Sequence, residues 1–354
     1  MTAITAQVPM RLMMFTDAHW GARANSIQHL EDCLEYIDWF CKLAIAQKAT
    51  HIGFLGDWHE SRNQINIRTL KYSHEGARRL NALGIPIYFL IGNHDLYHRS
   101  NREIFSTDPF SDLKNFVMIN EPVEITPELF ATPFLFRDEY PQLANQINAH
   151  KYVLGHFEFR NFVVTGADRR LEHGPDASQF TGPKYIFSGH FHKRQVNKNV
   201  IYIGNTFPTT YGDAWDSERG ACMLTMADDE VQFFDYPNAP LFYKTKLTQV
   251  LAGDMQFKKN GRVRCLLDAD VGYSDVQALR EEMMTMFELR EFSVEEDSQS
   301  KKDSINEGLE LEGELDLSSL DITVRKLILE GVTPTPTIDP AYLVELYEEL
   351  RSDK

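Results

Sequence analysis

Five short apolar runs punctuate the first two hundred residues, and each gives way at once to polar side chains. The runs are Leu12–Phe15, Ile52–Leu55, Ile87–Ile91, Tyr152–Leu154 and Tyr185–Phe187. Their brevity and their β-branched and aromatic content predict buried strands. Between the first two, Ile27, Leu30, Leu34, Ile37, Cys41 and Ala44 recur at helical spacing, with Asn25 or Ser26 available as a cap. A second helix, about Ile67 to Leu83, stops at Gly84 with Pro86 beyond. Strand, helix, strand, helix, strand implies a partly parallel α/β core whose strand ends deliver polar residues to one sheet edge. From Phe105 to Tyr236 strand-like runs dominate, among them Val200–Ile203 and a hairpin of Ala221–Met226 with Val231–Phe234, turning at Asp228-Asp229. A sheet-on-sheet core flanked by helices fits this order, and no internal repeat is evident.

The pattern changes after Pro237–Pro240. Val263–Leu267 reads as a strand, Ser274-Asp275-Val276-Gln277 as a capping-box start for a helix to about Leu289, and Phe292–Val294 as a closing strand. The domains expected are 1–240, then a small unit at 241–297, an acidic tether at 298–317 and a helical tail at 318–354. In the tail Leu320, Val324, Leu327 and Ile328 form one apolar stripe, and Leu343, Leu346, Tyr347 and Leu350 another that starts at Asp339-Pro340. Helices this short need a surface to cover. A partner's surface is the reading preferred; packing on the protein's own core is the plainer alternative.

Charge sharpens this division. The net charge of -16 disfavours nucleic acid at first sight, because phosphate contacts want Lys and Arg. Yet residues 281–354 hold 20 acidic and 7 basic side chains, so most of the excess lies at one end. Between Ser61 and Arg102 the balance reverses: Arg62, Arg68, Lys71, Arg78, Arg79, Arg99 and Arg102 face only Glu75 and Asp95. Arg62, Arg99 and Arg102 are the candidate DNA contacts; a solvated helix face is the alternative for the stretch. Four cysteines (Cys33, Cys41, Cys222 and Cys265) show no metal or disulfide spacing and read as reduced thiols. No apolar run is long enough for a membrane span, and Met1 to Pro9 lacks the features of a signal peptide, so a cytoplasmic location and no membrane partner are expected.

The chemistry sits in the polar blocks that follow the strands: Asp17-Ala18-His19, Gly56-Asp57, Gly92-Asn93-His94-Asp95, Gly155-His156 and Gly189-His190-Phe191-His192. Carboxylate, imidazole and amide ligands around two divalent ions, with one carboxylate bridging, are what a phosphoesterase centre needs. Asp17, His19 and His192 can make one site, Asn93, His156 and His190 the other, and Asp57 the bridge. His94, next to a ligand, suits a general acid or charge stabiliser at the leaving oxygen, and Asp95 could fix its tautomer. Each block alone occurs by chance in many proteins; all five in order, each after a strand, do not. His29, His51, His59, His74, His98, His150 and His173 fit no ligand pattern, with His59 and His98 the best candidates for pocket edges. Phe134, Phe136 and Trp215 could stack on bases, with core packing the plainer fate. Gly204-Asn205-Thr206 and Tyr211-Gly212-Asp213 could line the mouth of the site or simply be turns.

These motifs together resemble the calcineurin-like metallophosphoesterase superfamily over about Arg11 to Phe234. The spacing, the small added domain and the helical tail are similar to the SbcD-type DNA-repair nucleases. That resemblance implies a four-layer α/β core of two mixed β-sheets flanked by helices, with a small α/β capping domain that directs DNA. It implies manganese-supported cleavage of DNA phosphodiesters, magnesium being the alternative ion, as a 3′ to 5′ double-strand exonuclease and a single-strand or hairpin endonuclease. It also implies a homodimer within a heterotetramer, its tail helices docked on an SbcC-type SMC ATPase. Carried over residue by residue are Asp17, His19, Asp57, Asn93, His156, His190 and His192 as metal ligands and His94 as the catalytic histidine. One departure stands out: where the family runs Gly-Asp-x-aromatic-(His or Asp), this chain has Gly56-Asp57-Trp58-His59-Glu60, which leaves the roles of His59 and Glu60 unassigned. A phosphatase or small-ester phosphodiesterase with the same ligands, or a non-catalytic scaffold, are the rival readings.

Overall fold

The computed structural model describes residues 9–164 and 169–295, with Ala341, Leu343, Val344 and Tyr347 besides. The acidic tether and nearly all of the expected tail helices therefore lie outside the described residues. One compact unit ends at Glu295 and holds everything below.

In chain order the strands of the first half are β1 (Arg11–Phe15), β2 (His51–Phe54), β3 (Ile87–Leu90), β4 (Phe116–Ile119), β5 (Val123–Thr126), β6 (Leu129–Phe134) and β7 (Tyr152–His156). The second half adds β8 (Tyr185–Ser188), β9 (Gln195–Asn197), β10 (Val200–Tyr202), β11 (Gly220–Thr225), β12 (Glu230–Asp235), β13 (Phe242–Lys246), β14 (Arg262–Leu266) and β15 (Glu291–Glu295). The helices are α1 (Ile27–Ala46), α2 (Ile67–Asn81), α3 (Glu139–Ala149), α4 (Leu247–Leu251) and α5 (Tyr273–Met286).

Two six-stranded sheets form the body, in the orders β12-β11-β1-β2-β3-β4 and β5-β6-β7-β8-β10-β9. Each has a parallel centre with antiparallel strands at an edge, so both are mixed. The period-two alternation of β1 shows how they stack. Met13 and Phe15 join a core beneath α1 with Leu30, Ile37, Phe40 and Ala44, whereas Leu12 and Met14 join a second core with Leu129, Tyr152, Leu154 and Phe187 of the other sheet. The far face of that sheet buries Val153, Ile186 and Tyr202 against Tyr140 and Ile147 of α3. The layers run helix, sheet, sheet, helix. Removing one of these rings, Phe40 for example, would cost about 3–5 kcal/mol.

The site-bearing strands thus belong to two sheets, β1, β2 and β3 to one and β7 and β8 to the other, which corrects the expectation of one sheet edge. Five independent strand ends still meet because the two sheets are stacked face to face.

The small unit is a parallel sheet, β13-β14-β15. It begins with a strand, Phe242–Lys246, that the apolar pattern did not announce. Its helix starts at Tyr273 with Gly272 as N-cap and no side-chain cap bond, so Ser274 does not act as the capping-box residue expected of it. Tyr243, Val263, Cys265 and Phe292 continue the core beneath α1, and Arg290 grips Asp32 of α1 with two bonds of 2.6 and 2.7 Å. This sheet is seated on the body through α1.

Candidate metal centre

Four of the polar residues after the strands have left-handed backbones: Asp17 (φ 51), His19 (φ 46), Asp57 (φ 60) and His190 (φ 85). Side chains disfavour that region by about 1–3 kcal/mol each, so it persists only where neighbours enforce it. Here the loops after β1 and β2 run side by side: Asp17 N donates to Gly56 O at 2.9 Å, His19 N to Asp57 O at 3.2 Å and Trp20 N to Trp58 O at 2.8 Å. His190 N donates to both oxygens of Asp17, at 3.2 and 3.1 Å. The result turns each side chain beyond its strand, into the gap between the sheet ends. Two glycines are needed for closeness: a Cβ on Gly92 would strike the backbone and carboxylate of Asp57, and one on Gly56, itself at φ 102, would strike the His156 ring.

The donor atoms gather in two principal groups, Asp17 with His19 and His192, and Asp57 with His156 and His190, and in a third that shares His19 with Glu60 and His94, each with its ligand atoms within 4.8 Å of one another. Asp57 Oδ2 lies 3.3 Å from His156 Nε2 and 3.9 Å from His19 Nε2, so it stands between the groups. Asn93 Oδ1 is 3.0 Å from His156 Nε2 and 2.8 Å from His190 Nδ1. His19 Nε2 and His192 Nε2 face each other at 3.0 Å. His94 stands over the first group, its ring 4.9 Å from that of His19 at nearly a right angle.

Asp17 and Asp57 are buried, and their ion-pair partners among the described residues are imidazoles. Burial works to raise the Asp57 carboxyl, yet the His156 ring, with His94 and His19 behind it, holds it well below the carboxylate range. Burial likewise opposes charge on His156, but the Asp57 carboxylate overrides it and lifts that ring to about 9. His192 goes the other way, to about 4, through burial and its neighbour His19. Two imidazole nitrogens 3.0 Å apart cannot both hold protons toward each other. Converging lone pairs, two buried carboxylates and an amide oxygen form a donor set that fits divalent cations, which would take the place of those protons.

The family description for calcineurin-like phosphoesterases matches residues 10–194, more than half of the chain. This chain belongs to that family. Exonuclease subunit 1 of Enterobacteria phage T4 is 24% identical over 248 residues, covering 66% of this chain and 70% of that protein. A dimetal phosphatase from Danio rerio is similar at 10% identity, with 65% of this chain and 96% of that one covered and a TM-score of 0.39. The Pseudomonas putida nuclease MPE is similar at 14%, with 62% and 87% covered and a TM-score of 0.30. As a calcineurin-like phosphoesterase the protein is a metal-dependent hydrolase of phosphate esters in its family's manner, and no helix among its described residues is long and apolar enough to cross a membrane.

Several residues in this phosphoesterase depart from their expected places. Asp95 does not serve His94. Its buried carboxylate accepts from the N–H groups of Asp57 (3.0 Å), Trp58 (3.0 Å), His59 (3.1 Å) and Gly92 (3.0 Å), clamping the loops after β2 and β3 together. Burial, then the Asp57 charge, pushes it up to about 7 against the Gly92 and His59 N–H donors and the His156 charge. His94 Nδ1 instead meets the Glu60 carbonyl at 2.8 Å; a carbonyl only accepts, so Nδ1 carries the hydrogen and Nε2 is the free atom. Arg102 is not available to DNA, since its side chain is 7% exposed and tied to Glu139 and to the carbonyl of Phe134. Arg99 is exposed and Arg62 half-buried, the latter within the field of Asp57 and Arg99. His59 is a core residue rather than a pocket edge, held by the Ser73 and Ser106 hydroxyls at 2.9 and 2.8 Å.

Two residues with no expected place at the metals, Phe134 and Glu60, lie beside the cluster. Phe134, half-buried, lies 6.1 Å from the His190 ring and 6.2 Å from the His156 ring. Glu60 brings its carboxylate to 2.8 Å from His19 Nδ1. Its place three residues after Asp57, beyond an αL turn, was the only signal available. Trp215 Nε1 donates to Lys244 O, so that ring packs on the small sheet.

Proposed function

We propose that this protein is a two-metal DNA phosphodiesterase, the nuclease subunit of an end-processing complex. The observation that supports it best is Asp57: a single buried carboxylate between two groups of imidazole, carboxylate and amide donors, with His94 poised beside them. Asp17, His19 and His192 would hold one ion, Asn93, His156 and His190 the other, with Asp57 shared. Manganese suits these ligands, with magnesium as the alternative. Bound there, the ions supply Lewis acidity and a nucleophile at neutral pH.

The chain's own groups do the rest. Asp95 keeps the loops of Asp57 and Asn93 in register, so the donors need no rearrangement when substrate arrives. With Nδ1–H held on the Glu60 carbonyl, a protonated His94 presents Nε2–H to the leaving oxygen as general acid. Arg62 and Arg99 receive the phosphates on either side. DNA rather than a small ester is favoured by the likeness to a protein named an exonuclease subunit, and by the added sheet and the tail, which a small substrate does not require. In this reading residues 241–297 guide DNA, and 318–354 dock on an SbcC-type ATPase within a dimer-based assembly.

End-labelled duplex DNA with manganese, wild type against His94→Ser, tests the proposal. Cleavage by the wild type and its loss in the variant are expected. Turnover of a small phosphodiester with DNA left intact would move the protein to the small-ester enzymes.

A further inference from the structure

One residue touches both His19 and His94, by different atoms. The Glu60 carbonyl accepts from His94 Nδ1 at 2.8 Å, and the Glu60 Oε2 atom stands 2.8 Å from Nδ1 of His19. Buried His19 Nδ1 has no aligned hydrogen-bond partner among the described residues, and the Glu60 carboxylate is the ion-pair partner beside it; a small tilt of the ring would let that carboxylate accept from Nδ1–H and so decide which ring nitrogen carries the proton. With the hydrogen on Nδ1, Nε2 keeps its lone pair toward Asp17, Asp57 and His192. The Glu60 backbone is itself set by its N–H, which donates to the Trp20 carbonyl at 3.0 Å, just past His19 in the neighbouring loop.

We propose that Glu60 is a positioning residue for the first metal group: its carboxylate sets the tautomer and tilt of His19 for an ion, while its carbonyl sets His94 for the substrate. A metal-bound imidazole with a carboxylate on its other nitrogen is a better-oriented and more basic ligand. The two contacts are chemically separable. Changing the side chain removes the first and leaves the second, because the second is made by the main chain. The carboxylate is 45% exposed and lies at the rim, so its replacement leaves the packed core intact.

This inference rests on the two-ion reading above, and manganese titration of the metal-stripped full-length chain by calorimetry separates the two. The wild type should bind two Mn2+ ions; fewer than two would overturn the two-ion reading itself, whatever Glu60 does. Glu60→Ala should weaken one of the two ions by about 10–100-fold and leave the other unchanged. Glu60→Gln keeps an oxygen that can face Nδ1–H, so it should rescue most of that loss. Three results would overturn the positioning role: Glu60→Ala binding both ions as the wild type does; both ions weakened together with a lower melting temperature of the metal-free chain, which marks a general structural role; or Glu60→Gln as weak as Glu60→Ala, which makes the carboxylate a direct ligand.

Discussion

Around His156 the donors are braced from behind. Nδ1 of His156 meets the Leu55 carbonyl at 2.7 Å, and Asn93 Oδ1 stands between His156 and His190. Phe134 lies against both rings, with Arg102 fixed on its carbonyl. Around His19 and His192 the support is thinner. Nδ1 of His192 has no hydrogen-bond partner among the described residues, and the group beside Nδ1 of His19 is the half-exposed Glu60 carboxylate. The two rings instead meet each other at 3.0 Å. Main-chain carbonyls and buried side chains hold a ligand at little further entropic cost, whereas a rim side chain must be ordered each time. The second group is therefore expected to bind its ion more tightly, and the first to exchange it more readily.

Asp57 is the point where that contrast should vanish if, as proposed, its carboxylate is shared by both ions. Asp57→Asn should weaken both ions, on the order of 10²–10⁴-fold each if the loss is about 3–5 kcal/mol. DNA cleavage should then fall to background; calorimetry showing one ion bound normally would mean that Asp57 does not bridge. Next in size is His94→Ser, which keeps the main-chain N–H that donates to Asp57 Oδ1 and removes only the ring beside His19. It should lower kcat by about 10²–10⁴-fold with both ions still bound. A change in ion affinity would make His94 a ligand instead.

The contrast itself is sharpened by comparing His156→Ala with His192→Ala. Each should lose one ion, but only the first should destabilise the metal-free fold. The His156 side chain is fully buried and its loss strands the Leu55 carbonyl, worth about 1–3 kcal/mol, or a few degrees of melting temperature. His192 is 21% exposed, so its removal should leave the melting temperature within a degree or so. Equal melting temperatures for the two variants would mean that the bracing around His156 contributes nothing.

Much of this arrangement is legible in the sequence. The strand before each block and the helices from Ile27 and Ile67 follow from period and stop chemistry, and the observed Ile27–Ala46 and Ile67–Asn81 keep to them within a turn. The grouping of the donors could also be read, because five strand ends, four of them with glycine beside the polar residue, leave few places for the side chains to go. Which groups stand behind the donors and hold them could not. Asp95 looked like a partner for its neighbour His94, but an αL turn at Asp57 brings three N–H groups across from another loop, and adjacency in sequence lost to a nest of donors. Arg102 looked like one more free cation in a basic stretch. Only the packing of the loop after His94 on α3 shows that Glu139 already claims it. α3 itself was hidden because its burial rests on two residues, Tyr140 and Ile147, too few to mark a period.

The two arginines carry the same contrast out to the substrate, and here the expected effects are smallest. Arg102 braces the second group through Phe134, so Arg102→Ala should act on stability, by about 1–3 kcal/mol for a pair that is only partly buried, and on DNA binding hardly at all. Arg62, two residues past Glu60 and within the field of Asp57, makes no hydrogen bond or ion pair among the described residues, which leaves its charge for a ligand. Removing one phosphate contact lowers the salt slope of duplex binding by about one and weakens affinity a few-fold at low salt, without sequence preference. Arg62→Ala should therefore flatten the dependence of log affinity on log salt while the melting temperature stays put. If the slope is unchanged in Arg62→Ala and falls in Arg102→Ala, DNA approaches over the braced side, and the open first group is turned away from the substrate rather than toward it.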